Sequence, residues 1–237
     1  MKPVLILQNL SADGPAYLGT WLDSHAVPRR VFNNQAGDAF PEDLAPYGAL
    51  AILGGEMSAN DPLPSLRRAE ALFLQAVAHG VPTIGHCLGG QLMARALGAA
   101  VTASPAPEVG WQPLQVLAGE AAQDWLGEPG PRRVLQWHRE AFGLPVGATA
   151  LASSPACPLQ AFALGPHLAM QWHVEVDAEK LGRWSRDADA EYLASLGSAD
   201  STQDGPAMML DMARHLGSQQ AWANRIYGRW LGPVISP

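Results

Sequence analysis

Gly85-His86-Cys87-Leu88-Gly89-Gly90-Gln91 is the stretch on which the fold turns. It follows an aliphatic run, Val81 to Gly85, that reads as a strand, and a helical pattern from Gln91 to Leu97 comes after it. A side chain able to act as nucleophile, with a glycine two residues away on either side and set between strand and helix, has the layout of a nucleophile elbow, G-x-Nuc-x-G. The turn must be tight, and the glycines let strand and helix approach. The helix N-terminus then stabilises a thiolate and offers backbone N–H groups to an oxyanion. A lone buried cysteine is more often structural. The strand–turn–helix context makes Cys87 the candidate nucleophile instead.

The flanking sequence repeats this strand–helix alternation. Val4 to Leu7 is a short aliphatic run of the kind buried on both faces of a sheet. Residues 15–25 carry Tyr17, Leu18, Trp21 and Leu22 on one helical face, and Val27 to Phe32 is a second strand candidate. Residues 33–47 read as loop. Ala49 to Leu53 is a third strand, ended by Gly54-Gly55, and residues 65–79 form an amphipathic helix with Leu66, Ala69, Leu72, Phe73, Ala76 and Val77 inward. Such alternation predicts βαβ units, an α/β fold with a mostly parallel sheet and helices on both faces. Ligands of such sheets sit beyond the carboxyl ends of the strands, where the glycines at 54–55 and 85–90 lie. Residues 103–172 change character, with Pro, Gly and short β-like runs at 114–117, 134–137, 160–164 and 168–172 predicting further sheet with hairpins. From Asp177 the pattern is helical, and Pro206 to Trp230 reads as a long helix.

A thiolate needs a base, and the base an orienting group. Gln171-Trp172-His173-Val174-Glu175 offers both at a predicted strand end, with His173 as base and Glu175 as orienter. The chain has seven histidines, so this pair taken alone is a weak signal. Leu53-Gly54-Gly55-Glu56-Met57-Ser58 supplies the third piece: the amides of Gly55 and Leu88 are the expected oxyanion hole, although most Gly-Gly pairs are simple turns.

Composition bounds the rest. The chain has 237 residues, 48% hydrophobic and 16% charged, enough for a sizeable core. Its net charge of −7 and scattered basic residues argue against nucleic acid or a polybasic membrane contact. Two cysteines make no disulfide framework, and no metal-ligand spacing occurs, so neither metal nor cofactor is expected. No apolar run approaches a membrane span, and the N-terminal run is too short for a signal peptide. These features predict a soluble cytoplasmic protein with free thiols.

In this order, the three pieces resemble class I glutamine amidotransferases, the triad glutaminases, whose pattern is a strand ending in G-G-P, then G-x-C-x-G-x-Q, then Q-F-H-P-E. The resemblance covers about residues 1–185 and is nearest to stand-alone members similar to the amidotransferase domain of GMP synthase. It implies a flavodoxin-like class I amidotransferase fold, a three-layer sandwich with a mostly parallel central sheet flanked by helices. Residues 1–185 would be the amidotransferase domain and 186–237 a helical C-terminal extension packed on it. It also implies hydrolysis of glutamine to glutamate and ammonia through a Cys87 γ-glutamyl thioester, with ammonia passed to a separate synthetase subunit. Gln91 would contact glutamine, and Trp137, His138, Arg139 and Glu140 would border its amino and carboxylate groups.

The sequence departs from that pattern at several points. Glu56 and Val174 replace prolines, Trp172 replaces phenylalanine, and Arg139 stands where glycine is common. Arg139 has two readings, a partner for an α-carboxylate or a surface arginine. His86 either tunes the thiolate or packs beneath the elbow. No Ser-Gly-Gly-x-Asp-Ser pyrophosphatase loop and no Walker motif is present, so this chain has no ATP site of its own with which to activate an acceptor. A γ-glutamyl peptidase acting on glutathione-like compounds is the alternative, and a non-catalytic binding scaffold a second. A DJ-1-type peptidase ranks lower because Leu88, not histidine, follows the cysteine. The tryptophans, the Met208-Met209 and Met212 cluster, Cys157, and the Asp187, Asp189 and Glu191 run take structural readings: core, packing, inert thiol and solvated face. The sequence does not specify an oligomeric state.

Overall fold

Alternate residues of the first strand, β1 (Val4–Gln8), enter two different cores. Val4 and Ile6 face one side of the sheet, and Leu5 and Leu7 the other. A strand lined by apolar side chains on both faces must lie inside a sandwich, and the computed structural model describes that sandwich for residues 1–186, 190–197 and 199–235. Asp187 and Asp189 lie outside the described residues.

The other strands are β2 (Arg29–Asn33), β3 (Ala49–Ile52), β4 (Thr83–His86), β5 (Val101–Val116), β6 (Gly130–Phe142), β7 (Thr149–Ser153), β8 (Ala161–Leu164) and β9 (His167–Met170). They form one sheet in the order β2-β1-β3-β4-β9-β8-β7-β5-β6. Strands β2, β1, β3, β4 and β9 are mutually parallel. The remaining strands join antiparallel. The carboxyl ends of β1, β3, β4 and β9 are therefore adjacent along one edge of the sheet, and each of the three chemistry-bearing segments leaves from one of them.

Helices α1 (Ala16–Ser24), α4 (Glu120–Leu126) and α7 (Gly205–Ile235) cover one face, with Trp21, Trp125, Trp222, Tyr227 and Trp230 filling the interior. Helices α2 (Pro64–His79) and α3 (Leu88–Ala96) cover the other, packing Leu66, Leu72, Phe73, Leu92 and Met93 against Leu50 and Ile52. A third cluster joins Val109, Trp111 and Leu135 to Val176, just before α5 (Ala178–Trp184), and to Leu181, Tyr192 and Met208, from α5, α6 (Ala190–Ser195) and α7. Asp177 starts α5 by accepting the Lys180 backbone N–H at 2.8 Å. Apolar residues of α7 share the core with β1 and β3.

Three details differ from the sequence expectations. Helix α3 starts at Leu88, directly after the cysteine, rather than at Gln91. The β-like runs at 114–117 and 134–137 are parts of two long strands, β5 and β6, joined through a seven-residue helix, α4, set between Gly119 and Gly127, whereas those at 160–164 and 168–172 are β8 and β9. Strand β2 is an edge strand, which is why its burial is only partial.

The seating of α3 on the sheet depends on missing side chains. A Cβ at Gly89 would lie 2.1 Å from the Ile52 carbonyl oxygen, and one at Gly85 would lie 2.7 Å from the Gly89 carbonyl carbon. Both obstacles are backbone, which cannot swing aside. Gly217, exposed on α7, has nothing within 4 Å of the same position. Gly89→Ala should therefore lower stability by about 3 kcal/mol or more, or prevent folding. Gly217→Ala should raise it by about 0.5–1 kcal/mol. Thermal and denaturant melts of the two variants check the contrast.

Candidate active site

Cys87 occupies the turn between β4 and α3 with φ 48° and ψ −110°, a conformation that L-residues rarely adopt. It is held there from both sides. Its backbone N–H donates to the Met170 carbonyl of β9 at 2.8 Å, and its carbonyl accepts from Gln91 N at 3.0 Å in the first turn of α3. Strain at a buried, fully hydrogen-bonded position marks a functional constraint. The side chain is 6% exposed, with Sγ 3.6 Å from the Trp137 carbonyl oxygen, and it lies near enough to the His173 ring to shift the imidazole pKa.

His173 follows β9, and its backbone N–H donates to the Leu135 carbonyl at 2.9 Å, so β6 fixes where the ring emerges. Nδ1 lies 2.7 Å from Glu175 Oε1, which leaves the far side of the imidazole for Cys87. The ring is wedged edge-on to Trp184 at 4.7 Å between centroids. Gly54 supports its other edge: a Cβ there would come 3.1 Å from His173 Cε1. Burial disfavours the charged imidazole, but the negative charge of Glu175, its acceptance of the Nδ1–H, and the nearby Cys87 sulfur outweigh it and raise the His173 pKa to about 10. Glu175 is fully buried. Desolvation would raise its pKa, yet Lys180, His173 and His86 together hold it well below the usual carboxylate range.

His86 lies beneath the elbow, fully buried, with Nε2 3.9 Å from Glu175 Oε2. Burial pushes its pKa down to about 4, so it is neutral at pH 7. Of its two readings from sequence, the packed position is the one observed.

The cysteine and histidine open onto a cavity of about 650 Å³. Gly55, Glu56, Met57 and Ser58 line it from the loop after β3, Gln91 from α3, and Trp137, His138, Arg139 and Glu140 from β6. The two residues expected to supply oxyanion donors touch: a Cβ on Gly55 would meet Leu88 Cδ2 at 2.8 Å. Asn9 Nδ2 donates to the carbonyls of Leu53 and Gly54, both at 3.1 Å, and fixes that loop.

The sequence-expected substrate wall is present but carries more structure than its residue types announce. The Glu140 carbonyl accepts from Gln91 Nε2 at 3.0 Å and from Gln171 Nε2 at 2.8 Å, with His138 Nδ1 at 3.1 Å. Gln91 thus fastens the β6 rim to α3 as well as lining the cavity. His138 Nε2 lies 3.1 Å from Glu108 Oε2, its register partner across β5, and Ser58 Oγ donates to Glu140 Oε1 at 3.0 Å. Residues not singled out from sequence also line the cavity: Leu10, Ala12, Asp13, Trp184 and Ala190. Their positions come from loop and helix packing, and no local motif marks them. Trp184, whose sequence reading is structural like that of the other tryptophans, lies on the cavity as well. Cys157 lies apart, its thiol 3.3 Å from the Leu159 carbonyl and its pKa pushed up by burial.

Residues 26–184 match the family model described as glutamine amidotransferase class-I. The chain belongs to that family. It is 34% identical over 171 residues to the glutamine amidotransferase-like protein YfeJ of Salmonella typhimurium, covering 69% of this chain and 71% of that one. It is 38% identical over 172 residues to the glutamine-hydrolysing GMP synthase of Aeropyrum pernix, covering 71% of this chain but 31% of that one, so it spans about a third of that enzyme. A crystal structure of a glutamine amidotransferase from Methylobacillus flagellatus superposes with a TM-score of 0.90 at 33% identity, covering 98% of this chain and 95% of that one. Among the described residues of this amidotransferase, no cluster of three or more His, Cys, Asp or Glu is arranged to hold a metal ion, and no helix is long and apolar enough to cross a membrane.

The strain at Cys87 has a measurable consequence. Cys87→Gly relieves the backbone where Cys87→Ala keeps it. The glycine variant should be the more stable of the two by about 1 kcal/mol or more, a reversal of the usual order. Paired thermal melts check this, and an alanine variant as stable as the glycine one would argue against a strained turn.

Proposed function

We propose that this amidotransferase hydrolyses the side-chain amide of glutamine to glutamate and ammonia through a γ-glutamyl thioester on Cys87, and that the ammonia passes to a separate acceptor subunit. The observation that carries this reading is that Cys87 and His173 line the same cavity, with His173 Nδ1 2.7 Å from a fully buried Glu175 behind it.

The steps follow from the groups present. Cys87 Sγ attacks the amide carbon, and the oxygen takes up the negative charge between Gly55 and Leu88. The C–N bond breaks as His173 gives its proton to the departing nitrogen, which leaves as ammonia. Water then attacks the thioester carbon while His173 accepts its proton. The C–S bond breaks, and glutamate and the thiolate result. Glu175 holds the imidazole in register and balances its charge in both half-reactions.

Membership of the family supports the glutamine substrate, and the GMP synthase resemblance supports an acceptor partner. The packing of α7 into the same core as β1 supports reading residues 186–237 as an extension of the domain that spans residues 1–185. One feature of the cavity favours a second reading. Trp137, Trp184, Met57 and Leu10 give it an apolar side, and about 650 Å³ is more than glutamine needs. The same thioester chemistry would then release an amine or peptide from a γ-glutamyl compound.

Glutamate release should be measured from glutamine and from a panel of γ-glutamyl peptides. Cys87→Ala should abolish turnover. Glu175→Gln should lower kcat by about 10²–10⁴-fold with KM little changed, the signature of a group that acts on the base rather than on substrate. Turnover of glutamine supports the amidotransferase reading, and preference for the peptides supports the second. Undiminished turnover in Cys87→Ala would refute both.

A further inference from the structure

Lys180 is an ammonium group with no access to solvent, placed directly behind the candidate triad. Its Nζ donates to Glu175 Oε1 at 3.1 Å and to the Gly14 carbonyl at 3.2 Å, and it forms an ion pair with Asp13 Oδ1 at 2.5 Å. Glu175 Oε1 is the same oxygen that faces His173 Nδ1 at 2.7 Å. Asp13, at the other end, is 6% exposed, lines the cavity, and sits close enough to Gly54 that a Cβ there would lie 3.3 Å from Asp13 Oδ2. A continuous chain of contacts therefore runs His173, Glu175, Lys180, Asp13, beginning beside Cys87 and ending on the wall of the same cavity.

Three side chains of α5 hold this arrangement. Lys180 reaches down into the site, Trp184 covers it with Nζ 5.1 Å from the ring centroid, and Arg183 donates to the Ala12 carbonyl at 3.2 Å, tying the same loop from outside. A buried ion pair is a poor way to gain stability, because a well-packed apolar residue of similar volume is often as good or better. A carboxylate that must stay ionised in a water-free site is a different requirement. It needs a permanent cation, and that cation needs its own counter-charge.

Resting on the assignment of Cys87 and His173 as nucleophile and base, we propose that Lys180 and Asp13 form a charge-balancing pair that fixes Glu175 as the orienting carboxylate of His173 and tunes the Cys87–His173 couple, with Lys180 a positioning residue for the reaction.

The other groups near Glu175 are accounted for. His86 of β4 is neutral at pH 7, and the Tyr227 phenol of α7 is held well above its usual pKa by burial and by Glu175, so neither supplies a compensating charge. Lys180 remains the one permanent cation among the groups that bear on Glu175; His173 itself changes charge during the reaction.

The signs are opposite for the two members. Loss of the Lys180 cation leaves Asp13 and Glu175 as uncompensated anions, and negative potential favours protonation of Cys87 and His173. Loss of the Asp13 anion leaves a surplus positive charge, which disfavours protonation. The test is the pH dependence of Cys87 alkylation by iodoacetamide, followed on the Cys87 peptide in the full chain. It needs no substrate, so its result is independent of whether glutamine is turned over.

The midpoint should move up by about half a pH unit or more in Lys180→Met, and down by a similar amount in Asp13→Asn. The double variant D13N/K180M, which removes both charges, should return toward the parent. Lys180→Met should also lower kcat by about tenfold or more with KM within about twofold. A packing role would reduce the melting temperature or the active fraction without moving these midpoints in opposite directions. An unshifted midpoint in either folded single variant, or shifts of the same sign, would overturn the proposal. If Lys180→Met does not fold, the downward shift in Asp13→Asn decides it alone.

Discussion

The contact between Gly89 and the Ile52 carbonyl is the constraint on which the rest of the site depends. It lets α3 begin at Leu88, one residue beyond the cysteine, and so forces Cys87 into a backbone conformation that the chain would not otherwise adopt. The cost of that conformation is on the order of 1–3 kcal/mol. It is met by hydrogen bonds to Met170 and Gln91 and by apolar packing on both sides of the parallel sheet. In return the thiol stands at the edge where β1, β3 and β9 also end, on the same cavity as His173.

The electrostatics of the site rest on the same geometry. His173, Glu175 and Lys180 are nearly inaccessible to water, so each charge is fixed by its neighbours rather than by solvent. Glu175 keeps its charge because cations face it, and His173 keeps its proton because Glu175 does. His86, equally buried but without a short contact to an anion, loses its proton. Two histidines near one carboxylate thus have opposite states, set by a hydrogen bond of 2.7 Å in one case and a gap of 3.9 Å in the other.

Much of this was legible in the residues. The elbow glycines, the aliphatic strands and the amphipathic helix at 64–79 obey local rules of spacing and turn chemistry, and the structure follows them closely. Cys87, His173 and Gly55 could be named because each sits in a short motif at a strand end. Gln91 and the 137–140 segment line one cavity with Cys87, but their mutual fastening through the Glu140 carbonyl depends on how β6 crosses α3. Helix α4 and the true lengths of β5 and β6 escaped, because α4 spans only seven residues between two glycines, prolines interrupt the strand pattern of β5, and the pairing across β5 and β6 is non-local. Asp13 and Lys180 escaped for the same reason. They are 167 positions apart, and nothing near either says that a lysine in an ordinary helix will be buried against a carboxylate from the first loop.

The central claim is that Cys87 alone is armed toward a γ-glutamyl carbonyl. Incubation of the protein with an electrophilic glutamine analogue, followed by peptide mapping, tests it most directly. The account predicts stoichiometric modification of Cys87, none of Cys157, and protection by excess glutamine or a γ-glutamyl peptide. Failure to label Cys87 in the folded protein, or equal labelling of both cysteines, would contradict it.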